Sequence, residues 1–224
     1  MPSVFITGAN RGLGLEFARQ YAAEGWQVIA ACRRPDAAEA LAALKVETIG
    51  LDVADFAAIA ALPNQLAGRP IDLLINNAGV NASRQSLGNL DPAEWEQVLR
   101  INAVAPLKIA EALLPNLLAG DGRKLAFVSS RMGSIGDNDG GGYYSYRASK
   151  AALNAAVKCL SIDLAPKGLA ALLLHPGWVQ TDMGGAGAPV TPPVSVAGMR
   201  RVIAAAGPAN NGSFLDYMGS SLPW

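Results

Sequence analysis

TGANRGLG, residues 7–14, is the stretch of sequence that decides the fold. It follows the apolar run Val4–Thr7, which predicts a strand, and it leads into a helical pattern over Leu13–Glu24. In such a unit one glycine supplies the turn, one lets the backbone approach a pyrophosphate, and one lets helix and strand pack closely. Phosphates then lie at the helix N-terminus, where free N–H groups favour negative charge. The stretch therefore predicts a dinucleotide-binding loop, with a glycine-rich turn that binds nothing as the alternative.

Outward from this loop, apolar runs and helical patterns alternate along the chain. Further strands are predicted at Gln27–Ala31, Thr48–Leu51, Ile71–Ile75, Lys124–Ser129, Ala170–His175 and near Ser213–Asp216. Further helices are predicted at Phe56–Leu66, Pro92–Leu118, Ser145–Leu164 and Val194–Ala205. Leu73–Ile75 and Leu172–Leu174 are apolar throughout, as in strands buried on both faces. We therefore expect an α/β fold, a single domain over residues 1–224 with a doubly wound parallel sheet (Rossmann-like) and helices on both faces.

The composition narrows the class of protein. The 224 residues are 51% hydrophobic, and the 18 basic side chains balance the 18 acidic ones. This balance argues against a nucleic acid or an anionic membrane as the main partner. No run is long enough to span a membrane, and the first residues lack the pattern of a signal peptide. Cys32 and Cys159 have no metal-ligand spacing, so we expect no metal site and a reduced, cytoplasmic protein.

A tyrosine and a lysine stand four positions apart in Tyr146-Arg147-Ala148-Ser149-Lys150. At this spacing both side chains share one face of a helix. A free tyrosine titrates near pH ~10, which is too high for proton transfer near neutrality. A lysine cation about 5 Å away, at an effective dielectric of about 20, favours the phenolate by roughly 3 kcal/mol, or about two pKa units. The pair predicts an acid–base centre, and the alternative is an ordinary surface pair.

These motifs resemble those of the short-chain dehydrogenase/reductase family, whose glycine spacing is Gly-x3-Gly-x-Gly. Further matches follow the predicted strands: Asp52-Val53, Asn76-Asn77-Ala78-Gly79, Val128-Ser129-Ser130 and Pro176-Gly177. Asn102 resembles the family's active-site asparagine. The C-terminal runs Val196–Arg200 and Leu222–Trp224 are similar to the C-factor-like branch of the family.

The resemblance implies an NADP(H)-dependent oxidoreductase that interconverts an aldehyde or ketone and an alcohol by hydride transfer. The catalytic residues that it implies are Ser130, Tyr146, Lys150 and Asn102. The cofactor-binding residues that it implies are Gly8, Asn10, Arg11, Gly12, Leu13, Gly14, Arg33, Asp52, Val53, Asn77, Ala78, Gly79, Tyr146, Lys150, Pro176, Gly177, Val179 and Thr181. Family members often pair through the helices that begin here at Pro92 and Ser145, which implies a homodimer or homotetramer.

The choice of cofactor is predicted from the residues that follow the second strand. Gln27–Ala31 runs into Cys32-Arg33-Arg34-Pro35, and no acidic residue occurs before Asp36. An acid at this place would bind both ribose hydroxyls of NAD, whereas Arg33 or Arg34 can bind the 2′-phosphate of NADP. We expect Arg11 to approach the same phosphate from the glycine loop. The alternative is that these arginines are solvated surface charges.

Several alternatives stay open at this point. Ser130 lies sixteen positions before Tyr146, more than is usual in the family, and Ser134 competes with it for the same role. We interpret residues 139–142 as an inserted bulge that leaves Ser130 at its strand end. The rival functions are a nucleotide-binding regulatory or signalling protein of the same fold, and an epimerase or dehydratase. The latter usually carries a C-terminal substrate domain, and only 43 residues (224 − 181) follow Thr181.

Overall fold

The computed structural model describes residues 1–224, and a seven-stranded parallel sheet forms its centre. The strands are β1 (Ser3–Thr7), β2 (Gln27–Cys32), β3 (Glu47–Gly50), β4 (Leu73–Asn76), β5 (Gln85–Ser86), β6 (Asn89–Leu90), β7 (Lys124–Val128), β8 (Ala170–His175) and β9 (Phe214–Asp216). The sheet has the order β3-β2-β1-β4-β7-β8-β9, and β5 and β6 form a separate antiparallel hairpin. The order reverses between β1 and β4, which opens a crevice at the carboxyl ends of these strands.

Helices cover both faces of the sheet. They are α1 (Gly12–Ala23), α2 (Glu39–Ala42), α3 (Phe56–Leu66), α4 (Pro92–Leu99), α5 (Ala105–Ala112), α6 (Leu114–Ala119), α7 (Tyr144–Leu164) and α8 (Pro192–Ala204). Neighbouring residues of β1 point to opposite faces. Phe5 packs in the core beneath α3, α5 and α7, whereas Ile6 packs in the core beneath α1 and α8. The predicted fold class is confirmed, and no helix is long and apolar enough to cross a membrane.

The prediction of a single long helix over Pro92–Leu118 is wrong. It is divided into α4, a π-helical turn over Arg100–Val104, α5 and α6. Pro106 has no N–H to donate to the carbonyl of residue 102, so the regular hydrogen-bond ladder is interrupted there. The sequence pattern also missed the short elements α2, β5 and β6, and it began β4 two residues too early. Ile71 and Asp72 instead donate their N–H groups to Asn116 and Ser3.

Candidate active site

A cleft of about 1390 Å³ runs along the carboxyl ends of the parallel strands. It is lined by the loops that follow β1, β2, β4, β7 and β8, where an open parallel sheet binds its ligands. All the predicted site residues line this cleft except Gly14 and Asn102. The cleft therefore brings together residues that are up to 173 positions apart, between Gly8 and Thr181.

The glycine loop uses two of its glycines for left-handed backbone conformations. Gly8 has φ +64° and Gly12 has φ +53°, values that side chains with a Cβ disfavour. A Cβ on Gly8 would also lie 2.9 Å from the Cα of Ala78. α1 begins at Gly12, and the first N–H groups of a helix have no carbonyl partner within it. The loop therefore presents unpaired N–H groups to the cleft with no side chain above the turn.

Gly14 lies beneath the loop and does not line the cleft. A Cβ there would lie 2.2 Å from the carbonyl oxygen of Gly8 and 2.6 Å from Nδ2 of Asn77. No other residue fits without a shift of the backbone. Gly14 therefore allows α1 to pack closely on β1, which is the third role expected of a glycine in this loop.

Hydrogen bonds join the end of β1 to the end of β4. Oγ1 of Thr7 accepts from the backbone N–H groups of Asn77 and Ala78, both at 3.0 Å. The side-chain amide of Asn77 donates in return to the carbonyls of Thr7 and Gly8. The sequence analysis did not single out Thr7, although its position at the end of β1 was a signal for it. This bonding fixes the two loops on either side of the crevice.

Tyr146, Lys150 and Ser130 converge at the other end of the cleft. Ser130 and Tyr146 line the same cleft, and the side chain of Ser130 lies near enough to the phenol to lower its pKa. Nζ of Lys150 lies 5.8 Å from the centre of the Tyr146 ring and donates to the carbonyl of Val128 at 2.9 Å. One turn of α7 separates the tyrosine and the lysine, as their spacing predicts. The hydroxyl groups of Ser130 and Tyr146 and the ammonium group of Lys150 thus lie in one partly enclosed part of the cleft.

Burial sets the protonation of this group. It raises the pKa of Tyr146, and the nearby side chain of Ser130 opposes that rise only in part. Burial also lowers the pKa of Lys150 to about 8. The pKa of Tyr146 is therefore raised and not lowered as the neighbouring cation predicted, because burial disfavours the charged phenolate. Near neutral pH Tyr146 carries its proton and Lys150 is mostly cationic.

Asn102 lies beneath the cleft and is completely buried, and its predicted catalytic role stays a prediction. Its Oδ1 accepts from the N–H of Val80 at 2.9 Å, and its Nδ2 donates to the carbonyl of Val80 and to Oγ of Ser149. A Cβ on Gly79 would lie 3.3 Å from Asn102 Oδ1 and 3.7 Å from Lys150 Nζ. Asn102 thus ties the loop after β4 to α7, close to the lysine.

Ser134 does not share the place of Ser130. Its Oγ donates to the carbonyl of Trp224 at 3.2 Å and accepts from the N–H of Asp137, and it does not line the cleft. Ser130 lines the cleft and accepts from the N–H of Met132. Gly133 is pressed against α7, since a Cβ there would lie 2.8 Å from backbone and side-chain atoms of Lys150. The loop after β7 is held at both ends, and Ser130 is the serine beside Tyr146.

Gln85 was missed by the sequence analysis, although it positions the tyrosine. Its Oε1 accepts from the N–H of Tyr146 at 3.3 Å and from Oγ of Ser145 at 3.1 Å. Its Nε2 donates to Asn81 and to the carbonyl of Ala82. The side chain thereby bonds an N–H in the first turn of α7, which lacks a side-chain cap from its own preceding residue. A lone glutamine in a strand of only two residues gives no sequence signal of this role.

The arginines expected at the adenosine phosphate separate into two places. Arg33 and Arg34 line a small polar recess with Asn10 and Ala37. Arg11 does not line that recess, and its guanidinium pairs with the carboxylate of Asp182 at 2.5 Å. The expected approach of Arg11 to a 2′-phosphate stays a prediction. Asp182 was not among the predicted site residues, because it lies 171 positions from Arg11.

The loop after β8 forms the opposite wall of the cleft. Pro176, Gly177 and Thr181 line it, and Val179 lines it while almost fully buried. Gly177 has φ +83°, and a Cβ there would lie 3.0 Å from the ring of Tyr217. His175 also lines the cleft, and burial lowers its pKa to about 4, so its imidazole is neutral. Trp178 and Met183 are exposed large side chains at this wall.

Asp52 and Val53 lie at the cleft wall that follows β3. Oδ1 of Asp52 accepts from the N–H of Ala54 at 2.9 Å, and this bond holds the turn that leads to α3. The side chain is exposed to solvent. The predicted contact of Asp52 and Val53 with a cofactor stays a prediction.

Comparison with known proteins adds to this geometry. The family model for short chain dehydrogenases matches residues 2–188. The C-signal of Myxococcus xanthus is 52% identical over 155 residues, which cover 69% of this chain and 93% of that protein. The 1-hydroxy-2-glutathionyl-2-methyl-3-butene dehydrogenase of Rhodococcus sp. (strain AD45) is 37% identical over the whole of both chains. Among solved structures, the NADPH-bound carbonyl reductase from chicken fatty liver has a TM-score of 0.91 and 34% identity, with 100% of this chain and 99% of that chain covered.

Proposed function

Because the chain belongs to the short-chain dehydrogenase/reductase family, in its C-factor-like branch, we propose that it is an NADP(H)-dependent oxidoreductase that interconverts a carbonyl compound and an alcohol. One observation carries the proposal: a serine and a protonated tyrosine line the cleft that the glycine loop opens, with a buried lysine beside them. A protein that only binds nucleotides has no need of this group.

The residues of the cleft fit a dinucleotide phosphate. The volume of the cleft, about 1390 Å³, exceeds the range of about 300–1,000 Å³ that is typical of pockets for drug-sized ligands. Gly8 and Gly12 keep the turn clear for a pyrophosphate, and the first N–H groups of α1 are available to it. Arg33 and Arg34 offer two guanidinium groups for a 2′-phosphate in their recess. Lys150 and the residues from Pro176 to Thr181 would hold the nicotinamide end.

The mechanism follows from the protonation of the site. When bound, NADPH supplies the hydride. The raised pKa of Tyr146 keeps the phenol protonated near neutral pH, so it can donate its proton to the carbonyl oxygen of a substrate. Ser130 donates a hydrogen bond to the same oxygen and fixes its place. The ammonium group of Lys150 stabilises the phenolate that remains, because the attraction acts inside a poorly solvated site.

Asn102 and Gln85 serve this group indirectly. Asn102 fixes the loop at Val80 against α7, and Gln85 fixes the first turn of α7 at Tyr146. We propose that both hold the acid and the lysine in register with the glycine loop. Such positioning contributes to the rate because misplacement of a catalytic group by about 1 Å can lower it about a hundredfold.

The proposal extends to the setting in which the enzyme works. We propose a small aldehyde or ketone as substrate, a reduced cytoplasmic location, consistent with the two unpaired cysteines, and a homodimer or homotetramer. Light scattering at micromolar concentration tests the assembly, and a monomeric mass would contradict it.

Turnover tests the proposal most simply. Wild-type protein is mixed with NADPH and a panel of aldehydes and ketones, and the loss of NADPH absorbance is followed. Binding of NADPH is measured separately by the change in its fluorescence. Turnover of panel members with NADPH supports the proposal, and binding without turnover across a broad panel would contradict it.

The similarity to the C-signal favours one second candidate, a nucleotide-binding signalling protein with little turnover. The same two measurements separate the candidates. Binding of NADPH with no oxidation of it would favour the signalling protein.

A further inference from the structure

Two arginines stand directly after the serine and the tyrosine of the proposed site. Arg131 follows Ser130 in the loop after β7. Arg147 follows Tyr146 in the first turn of α7. Both arginines line the cleft, so two cationic side chains accompany the groups that would hold the reacting carbonyl.

Arg147 has no carboxylate partner. Its side chain is half-buried, and its Nε donates to the carbonyl of Gly141 at 3.1 Å. It belongs to none of the ion pairs in the structure. Arginine side chains that are withdrawn from solvent are usually paired with an acid. The guanidinium of Arg147 is therefore free to bind an anion that enters the cleft.

Arg131 is a second cation on the neighbouring loop. Burial lowers the pKa of His175 at the end of β8, and the charge of Arg131 lowers it further, so the guanidinium extends toward this strand end. Arg131 pairs with Asp137, with Nε and Oδ2 3.1 Å apart, and Asp137 also lines the cleft. A carboxylate is thus already bound to an arginine at this wall of the cleft.

The charges at this wall do not balance. Residues 128–150 contribute three cations to the cleft, and Asp137 is the single acid among them. Lys150 has its own task, which is to stabilise the phenolate of Tyr146. An uncharged aldehyde or ketone needs neither Arg131 nor Arg147.

We propose that Arg147, with Arg131 as the second cation, binds a carboxylate group of the substrate, so that the enzyme prefers carbonyl compounds that carry one. The inference rests on the proposed function and names its substrate class. A guanidinium can bind a carboxylate through two parallel N–H bonds. The reaction is unchanged: NADPH gives its hydride to the carbonyl carbon, Tyr146 gives its proton to the oxygen, and solvent returns a proton to the tyrosine.

Aldehydes that differ only in charge test this inference. The probes are 4-formylbenzoate and 3-formylbenzoate, each compared with its own methyl ester, and kcat/KM is measured with saturating NADPH. In the wild-type protein at least one acid should exceed its ester about tenfold, through a lower KM, as expected for a partly solvated arginine–carboxylate contact. Arg147→Gln should remove this preference and leave kcat/KM for the esters nearly unchanged.

Two further variants sharpen the test. Asp137→Asn removes the carboxylate that competes for Arg131, so it should raise kcat/KM for the preferred acid about two- to fivefold and leave its ester unchanged. Lys158→Gln removes a positive charge from the exposed side of α7, outside the cleft. It is the control for net charge and should leave the ratio of acid to ester unchanged.

Three results would overturn the inference and leave the proposed function intact. One is equal kcat/KM for each acid and its ester in the wild-type protein. Another is an equal loss for acid and ester in Arg147→Gln, which would show that Arg147 only supports the loop at Gly141. The third is turnover of other aldehydes with none of the four probes. A protein that reduces no carbonyl compound with NADPH would overturn the proposed function as well.

Discussion

Lys150 destabilises the folded protein at neutral pH, and Lys150→Met should therefore increase its free energy of unfolding. The side chain is buried, and burial lowers its pKa from 10.5 to about 8. This difference corresponds to about 3 kcal/mol of unfavourable free energy when the lysine is charged. Below pH 8 the lysine is charged in both the folded and the unfolded chain, so the whole penalty acts. Above pH 10.5 it is neutral in both, and the penalty is gone.

The hydrogen bond to Val128 offsets part of the gain. Methionine fills a similar volume but leaves the carbonyl of Val128 without the donor that now lies at 2.9 Å, which costs about 1–2 kcal/mol. The net stabilisation expected at pH 7 is therefore about 1–2 kcal/mol. At pH 10 the penalty falls to about 1 kcal/mol, because only the unfolded chain still binds much of the proton, and the advantage of the variant should vanish.

Urea unfolding followed by circular dichroism, at pH 7 and at pH 10, measures this difference. Lys158→Met is the matched control, because Lys158 lies on the same helix and is exposed. The control should change stability by less than about 0.5 kcal/mol at either pH. A Lys150→Met protein that is less stable than wild type at pH 7, or a difference that is the same at both pH values, would refute the reasoning.

Three further predictions concern other parts of the cleft. Ser130→Ala should lower kcat/KM about tenfold or more in steady-state assays. Ser134→Ala should leave kcat unchanged and lower the free energy of unfolding by about 1 kcal/mol. The reverse ranking of the two variants in these assays would show that Ser134 holds the substrate. Arg33→Ala should weaken the binding of NADPH about tenfold in a fluorescence titration and leave the binding of NADH unchanged. The reason is that an arginine–phosphate contact contributes about 1.5–3 kcal/mol before solvent screening. Equal losses of affinity for both cofactors would contradict this prediction. Gly14→Ala should lower the free energy of unfolding by about 1–3 kcal/mol and weaken cofactor binding, because the new methyl group would lie 2.2 Å from the carbonyl oxygen of Gly8. An unchanged midpoint of urea unfolding would show that α1 can shift freely.

The parts of the fold that could be predicted are those with a local cause. The periodicity of Leu13, Phe17 and Tyr21 predicts α1, and the apolar runs predict the buried strands, because one face or both must be covered. The spacing of Tyr146 and Lys150 places both on one face of α7 for the same local reason. Each of these motifs follows a predicted parallel strand. Because the carboxyl ends of parallel strands lie at the same edge of a sheet, this position alone brings the motifs together.

The parts that could not be predicted depend on contacts between distant residues. Arg11 and Asp182 are 171 positions apart in the sequence, and the sequence around either residue gives no indication that the two form an ion pair. The bonds of Asn102 to Val80 and Ser149, and its place in a π-helical turn beneath the cleft, also could not be read from the sequence. The rise in the pKa of Tyr146 also depends on tertiary burial, which disfavours the charged phenolate.

Tyr146→Phe tests the central claim most directly, because it removes the phenolic proton and keeps the ring. The measurement is the single-turnover rate at which deuterium passes from 4-deuterated NADPH to a carbonyl compound that the wild-type protein reduces. We predict a fall of at least about 10²-fold in this rate, with the Kd for NADPH little changed. A Tyr146→Phe protein that transfers deuterium at close to the wild-type rate would contradict the account.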